Sequence, residues 1–173
     1  MESPMRKPTG PKLQAKMSSP ATGGFSLKYQ CCLRGGDGKI CCGYGPFLGS
    51  SQELEIFQQG GLHDLLEPGE CVVASAEFPP HPGVITTNNF DALFDNKEAQ
   101  DYSEAEVEAS RQDLKNLCNA GQQTIEVLKS FKCLTEPWRY KPNQHGVMFM
   151  VCLQLTNLIV MSQRNTHNRE RRR

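Results

Sequence analysis

Two adjoining segments decide the fold: Gly60–Glu70, with the sequence GGLHDLLEPGE, and Cys71–Pro79, with the sequence CVVASAEFP. The Pro-Gly pair in the first segment predicts a turn. Cys71–Ala76 is a short, mostly apolar run, typical of a strand that is covered on both faces. The sequence therefore predicts a turn that leads directly into a buried strand, and Ser75 lies on that strand.

Further elements are predicted on both sides of this stretch. Phe25–Leu33 alternates as a strand does, and the Gly-rich segment Arg34–Lys39 predicts a hairpin turn. Ile40–Phe47 is then the returning strand of the hairpin. Gln52–Phe57 predicts a short helix that ends at a glycine pair. Val84–Thr87 predicts another strand after a Pro-rich break.

Two helices are predicted in the second half of the chain. After a predicted loop at Asn88–Gln100, Ser103 and Glu106 form a capping box that opens a helix of about thirty residues. Val147–Met161 is apolar nearly all round, which predicts a helix buried on most sides. This run is shorter than the roughly 18–20 residues that cross a bilayer, so we interpret it as a core helix, with a weak tail anchor as the alternative.

The charge pattern bears on nucleic-acid binding. The 173 residues carry no formal net charge, but residues 1–50 are basic and residues 51–113 carry fourteen acids against two bases. Phosphate binding needs a continuous basic face, so any DNA contact is expected at the two ends of the chain. The candidate residues for that contact are Arg169, Arg171, Arg172 and Arg173.

The chain is long enough for one folded domain. Residues 1–24 are rich in Pro and Lys, which predicts a disordered basic segment before a domain at 25–162 and a basic tail at 163–173. The first nineteen residues lack the apolar stretch of a signal peptide. We therefore expect a nuclear or cytoplasmic protein whose eight cysteines stay reduced. The histidines are interpreted as surface or loop residues: His63, His81, His145 and His167.

Four of the cysteines flank the hairpin turn as adjacent pairs. With a two-residue loop, Cys32 would face Cys41, and Cys31 would face Cys42. Facing thiols of this kind could hold a soft metal or form a disulfide. The alternative is that they are small apolar residues of two strands, because adjacent residues of a strand point to opposite faces.

Taken in order, these motifs resemble the DDE superfamily endonucleases, a group that includes Harbinger-type transposases. The GGLHDLLEPGE run is similar to a family turn, GxxxLLxPGD, that feeds a strand written VxADxGF. Gly49–Phe57 resembles the family motif GSxxDxxIF, with Glu53 in place of its aspartate. Ser103–Arg111 and Gln122–Leu134 resemble the family's long late helix, and Val151–Leu158 resembles its closing VCxxLxNL.

The resemblance covers residues from about 28 to about 158 and implies an α/β fold, an RNase H-like DDE transposase core in which helices flank a mixed sheet. The family's first catalytic aspartate lies on a strand just before the segment that matches Met1–Pro8. We therefore expect an N-terminally truncated domain that lacks its first strand. Unless residues 1–24 take that place, buried backbone groups lose their partners, at a cost of about 1–3 kcal/mol each.

The resemblance also implies a chemistry, which is metal-dependent phosphodiester hydrolysis and strand transfer. Two Mg²⁺ ions carry out this chemistry in the family, held by two aspartates and a glutamate, because Mg²⁺ prefers hard anionic oxygen ligands. The resemblance places Ser75 at the second aspartate and Gln122 at the glutamate. Both side chains are neutral and do not offset two divalent charges. We therefore expect no catalysis and no cofactor.

Three glutamates leave an alternative open. Glu77 lies on the same strand face as Ser75, Glu126 follows Gln122 by one helical turn, and Glu53 is near this region in the family's layout. They could form a rebuilt site for Mg²⁺ or Mn²⁺, or they are solvated surface carboxylates.

Three functions are consistent with this sequence. The first is an inactive transposase-derived domain that acts as a nuclear binding or scaffold protein. The second is a metal-dependent DNA endonuclease with the rebuilt site, and the third is a decayed copy with little stable structure. The expected partner is a nuclear protein, with DNA as a weaker candidate and no membrane.

Overall fold

Residues 1–93 and 102–170 are described by the computed structural model, except for the side chains of residues 63, 93 and 165–170. The predicted loop at Asn88–Gln100 therefore lies partly outside the described residues. The chain forms two compact units, one of Met1–Gln52 with Gly121–Arg173 and the other of Glu53–Ala120.

An antiparallel sheet organises the first unit. Its strands are β1 (Glu2–Met5), β2 (Ser18–Ser19), β3 (Gly24–Leu33) and β4 (Ile40–Leu48). β3 pairs with all three others. Phe25 has Met5 as its partner on one edge and Ser18 on the other, while Leu27 is paired with both Ser3 and Leu48. β1 therefore runs along one edge of β3, and β2 and β4 share the other. The predicted β3–β4 hairpin is confirmed.

Residues 1–24 are not the disordered segment that the sequence predicts. β1 pairs with β3 from Glu2 opposite Lys28 to Met5 opposite Phe25, and a short helix, α1 (Pro11–Met17), follows it. Every second residue of β1 is buried, and Met17 is 1% exposed. The prediction rested on Pro and Lys content, whereas the alternate residues of β1 have a core to face.

A strand thus lies beside β3, where the sequence predicted unpaired backbone groups. The other edge of β1 is partly covered as well, because Arg6 N donates to Trp138 O over 3.0 Å and Trp138 N donates to Pro4 O over 3.1 Å. The predicted loss of stability from unpaired backbone groups therefore does not apply to this edge.

Two helices complete the first unit, α4 (Lys132–Thr135) and α5 (Pro142–Glu170). α5 packs on β4, and Asn157 fixes it there, since its side-chain amide accepts from Ile40 N over 2.8 Å and donates to Ile40 O over 2.9 Å. The core of the unit consists of Met5, Met17, Leu27, Tyr29, Ile40, Leu128, Leu134, Phe149, Cys152 and Leu153.

α5 is longer and more exposed than the sequence predicts. Val147–Met161 was expected to be buried on most sides, but the outward face of the helix carries a row of exposed apolar side chains, with Val147 68% and Leu158 63% exposed. The expectation fails because β4 covers only one face of α5. Residues 142–164 are long and apolar enough to cross a membrane, a test that buried core helices also pass.

The second unit contains α2 (Glu53–Gln59), β5 (Val72–Val73) and β6 (Val84–Ile85), with β5 and β6 parallel. The strand predicted at Cys71–Ala76 is therefore shorter than expected, and its residues are half-buried or exposed rather than covered on both faces. A two-stranded ladder leaves each strand with one open edge, so few residues can be enclosed.

The long helix α3 (Glu104–Lys129) begins in the second unit and ends in the first. Its predicted capping box is confirmed. Ser103 N donates to Glu106 Oε2 over 2.8 Å, and Glu106 N donates to Ser103 Oγ over 3.4 Å. These bonds satisfy backbone donors that the first turn of the helix leaves free. The chain thus has the predicted mixed α/β fold, with helices flanking the sheets.

Candidate functional site

Ser75 lies immediately beyond the parallel ladder of the second unit. Ala74 N donates to Ile85 O over 2.9 Å, which is the last hydrogen bond between the strand segments. Ser75 O then accepts from Phe78 N over 3.0 Å and closes a turn. Ser75 is exposed. Ligand sites of parallel sheets lie at the carboxyl ends of the strands. Ser75 lies at such an end and therefore has the position expected of a ligand-binding residue.

Aromatic packing holds the turn that follows Ser75. Phe78 meets the buried ring of Phe57 edge to face, with ring centroids 5.6 Å apart, and His81 meets the same ring at 5.2 Å. Asn88 Nδ2 donates to Ala76 O over 2.8 Å. The backbone around Ser75 is therefore positioned by contacts on both sides of the turn.

Two of the three candidate glutamates, Glu53 and Glu77, belong to the second unit, and both are exposed. Glu53 is the first residue of α2, one turn before Phe57, and Glu77 directly precedes Phe78. The packing of Phe57 on Phe78 therefore joins the segments that carry these two carboxylates. Their assignment to a metal site stays a prediction.

Gln122 and Glu126 lie in the first unit, one turn apart on α3. Gln122 Nε2 donates to Glu126 Oε1 over 3.3 Å, and both residues are exposed. Between them, Thr124 is buried and its Oγ1 donates to Gly38 O over 3.0 Å. Thr124 thus fixes the rotation of this part of α3, and Gln122 and Glu126 share the face turned to solvent.

The donor chemistry at these positions does not fit the metal pair of the family. At the two positions where the resemblance implies carboxylates, this chain has the hydroxyl of Ser75 and the carboxamide of Gln122, and neutral oxygens do not balance two divalent cations. Among the side chains that the structure describes, no three His, Cys, Asp or Glu groups lie close enough together to hold a metal ion.

The cysteine pairs of the hairpin meet in a different register from the one predicted. Cys32 lies opposite Cys42, and Cys31 lies opposite Gly43. A register irregularity between Cys32 and Leu33 shifts the pairing by one residue. Burial raises the pKa of Cys31 to about 11, so this thiol is protonated at neutral pH.

A second thiol pair connects α4 and α5. Cys133 Sγ and Cys152 Sγ are 3.6 Å apart. Burial raises the pKa of Cys152 to about 12, and the neighbouring Cys133 adds to this shift. All eight cysteines are free thiols, which agrees with an interior role for this pair as small apolar groups.

His145 is not the surface or loop histidine that the sequence analysis expected. It is fully buried, and Tyr29 Oη lies 2.7 Å from its Nδ1. Burial lowers the pKa of His145, while the backbone of Cys133 acts in the opposite direction. The signal that could have revealed this position is spacing, because Phe149 and Cys152 follow at helical intervals and mark the inner face of α5.

The candidate residues for nucleic-acid contact lie at the end of the chain. Arg171, Arg172 and Arg173 are outside the described residues, and of Arg169 the structure describes only the helical backbone. Their role in DNA contact therefore stays a prediction.

Comparison with known proteins gives one match. The model of the family described as DDE superfamily endonuclease matches residues 1–157. No curated protein and no solved structure matches the chain. The family match begins at residue 1, so it includes β1 and α1, which the sequence analysis had left outside the domain. Since it spans most of the 173 residues, the chain belongs to the DDE superfamily endonuclease family.

Proposed function

We propose that this chain is a catalytically inactive, transposase-derived domain that acts as a nuclear binding or scaffold protein. The observation that carries the proposal is the pair of neutral side chains, Ser75 and Gln122, at two metal-ligand positions of the family. The position of Ser75 just beyond β5, where Ala74 N donates to Ile85 O, supports this proposal because ligand sites lie at the carboxyl ends of parallel strands.

The environment of Gln122 supports the same conclusion. Its amide donates to Glu126 Oε1, an arrangement that suits a solvated helix face. The fold of the first unit has a buried core and a paired β1, which favours a retained binding domain over a decayed copy.

The competing function is a divalent-metal-dependent DNA endonuclease with Glu53, Glu77 and Glu126 as ligands. A nicking assay on supercoiled plasmid with Mg²⁺ or Mn²⁺ separates the two. We expect no cleavage above a protein-free control for the wild type, for Glu77→Gln or for Glu126→Gln. Ser75→Ala is the matched control, because it removes a neutral group from the same turn. Metal-dependent nicking that is lost in Glu77→Gln or Glu126→Gln would overturn the proposal.

Nuclear location is the second component of the proposal. The basic tail, which ends in Arg171, Arg172 and Arg173, has the composition of a nuclear localisation patch. A fluorescent fusion of the full chain is expected in the nucleus, and replacing these three arginines by alanine is expected to release it to the cytoplasm. A fusion that is cytoplasmic in both forms contradicts this component.

A further inference from the structure

The outward face of α5 is the largest feature of the chain that the proposed function leaves without a role. This face, called the outer face below, is made by side chains that are each 37% to 68% exposed. Its members are Val147, Met148, Met150, Val151, Leu155, Leu158, Ile159 and Met161. Together they expose roughly 700 Å² of apolar surface, above the about 300–600 Å² of the largest patch on a typical monomer.

The opposite face of α5 packs against the sheet of the first unit. Phe149, Cys152 and Leu153 belong to the core of the first unit. Asn157 is bonded to both backbone groups of Ile40. A bilayer-spanning α5 would have to give up these contacts and carry the freed polar groups into hydrocarbon, at a cost of several kcal/mol each. A partner that binds the outer face must therefore do so while α5 stays packed on β4.

The spacing of the outer face favours a second helix as its occupant. Met148, Val151, Leu155 and Leu158 recur at alternating intervals of three and four residues, the spacing of a helix–helix seam. Flanking apolar residues widen this seam on both sides. Between Pro142 and Gln163 the helix has no Lys, Arg, Asp or Glu. A second helix that packs on this seam therefore buries none of these charges.

The outer face is also complementary to itself. When two copies of α5 lie antiparallel about a two-fold axis near Gln154, Val151 of one copy meets Leu158 of the other, and Met148 meets Met161. Apolar groups then face apolar groups on both sides of the axis, and Gln154 of each copy meets Leu155 of the other at the axis, so the same surface pairs with itself as in an isologous interface. A parallel pair would instead bring the two copies of Arg164 and the basic tails together.

The size of the outer face fits the same occupant. A standard interface buries about 800 Å² per partner, which is close to the apolar area that this one helix exposes. From the area, the seam and the self-complementarity, we propose that the chain forms a homodimer through antiparallel pairing of α5 helices. This association is independent of whether the domain cuts DNA.

The test is sedimentation equilibrium of the full chain at micromolar concentration. The wild type is expected at about twice its monomer mass of 19.3 kDa. Leu158→Glu is expected to raise the dissociation constant more than about tenfold, because each dimer must then bury two new charges. Leu65→Glu is the matched control, since Leu65 is similarly exposed at 70% but lies outside α5. Val151→Glu serves as a second disrupting variant, with circular dichroism to verify folding.

A charge pair tests the antiparallel direction. In the double variant Val151→Lys with Leu158→Glu, antiparallel copies place each lysine opposite a glutamate, whereas parallel copies place like charges together. The double variant is expected to dimerise more tightly than Leu158→Glu alone, and added salt is expected to weaken it. No recovery in the double variant would overturn the antiparallel arrangement.

Three results would overturn the dimer itself. The first is a monomeric wild type. The second is equal loss of association in Leu65→Glu and Leu158→Glu. The third is a monomeric wild type that floats with vesicles of phosphatidylcholine and phosphatidylserine, together with a Leu158→Glu variant that does not float. That result would show that the outer face binds a membrane surface.

Discussion

Gln122 donates a hydrogen bond to Glu126 across one turn of α3, over 3.3 Å. The family resemblance implies a metal-binding carboxylate at the first of these positions. Here the amide donates to the acid on an exposed helix face. The proposed loss of the metal site can therefore be tested through stability as well as through activity.

Gln122→Glu is expected to lower the free energy of unfolding by about 0.2–0.5 kcal/mol, because two carboxylates then lie one helical turn apart. Urea unfolding at low and high salt measures this, and high salt should reduce the effect. The swap Gln122→Glu with Glu126→Gln is the matched control and should be nearly neutral. A Gln122→Glu variant that is more stable than the wild type in the presence of Mg²⁺ would indicate a metal site.

Glu2 tests whether β1 contributes to the fold. Its Oε2 accepts from Ser19 Oγ over 2.6 Å and from Ser26 Oγ over 2.9 Å, and both serines are buried. Glu2→Ala is expected to destabilise the protein by about 2–4 kcal/mol, since two buried hydroxyls lose their acceptor. Chemical denaturation measures the change. Ser18→Ala, at an exposed position of β2, is the control, and an equal effect of the two substitutions would contradict the account.

Gly43 sets the distance between β4 and α5. An added methyl group would overlap Leu153 and lie 3.2 Å from Phe149 Cε1. Gly43→Ala is therefore expected to cost about 1–3 kcal/mol through overpacking. Thermal or urea unfolding gives the value, with Gly36→Ala as the control because that site has open space. The double variant Gly43→Ala with Leu153→Ala should lose less free energy of unfolding than the two single variants lose together. Strict additivity would argue against a contact between position 43 and Leu153.

His145 makes stability depend on pH. Burial lowers its pKa in the folded protein, so the unfolded chain binds the proton more readily, and stability is expected to be complete above about pH 6.5 and to fall as the pH drops below it. Unfolding free energies between pH 5 and 7.5 check this, and His145→Gln should flatten the curve. An NMR titration that places the pKa of His145 above about 6.5 would contradict the prediction.

Features fixed by neighbouring residues could be predicted from the sequence. The hairpin of β3 and β4 follows from a Gly-rich turn between two alternating segments, and the start of α3 follows from the Ser103–Glu106 capping box. Both are local signals, since turn and cap chemistry act within four or five residues. The family, too, was recognisable from its ordered motifs.

Features that depend on distant partners could not be predicted in this way. β1 exists because β3 pairs with it from more than twenty residues away, and its composition alone resembles a disordered segment. The apolar sequence of α5 does not specify which face β4 covers. The pairing of Cys32 with Cys42 depends on an irregularity that the turn sequence does not reveal. The neutral residues at positions 75 and 122 became informative only through the family resemblance.

Calorimetric titration of Mn²⁺ into the full chain tests the central claim most directly. The account predicts no uptake beyond weak, non-stoichiometric binding, with the same trace for the wild type, Glu77→Gln and Glu126→Gln. Stoichiometric binding by the wild type that either substitution removes would contradict it, because carboxylates would then be holding a metal where Ser75 and Gln122 supply only neutral groups.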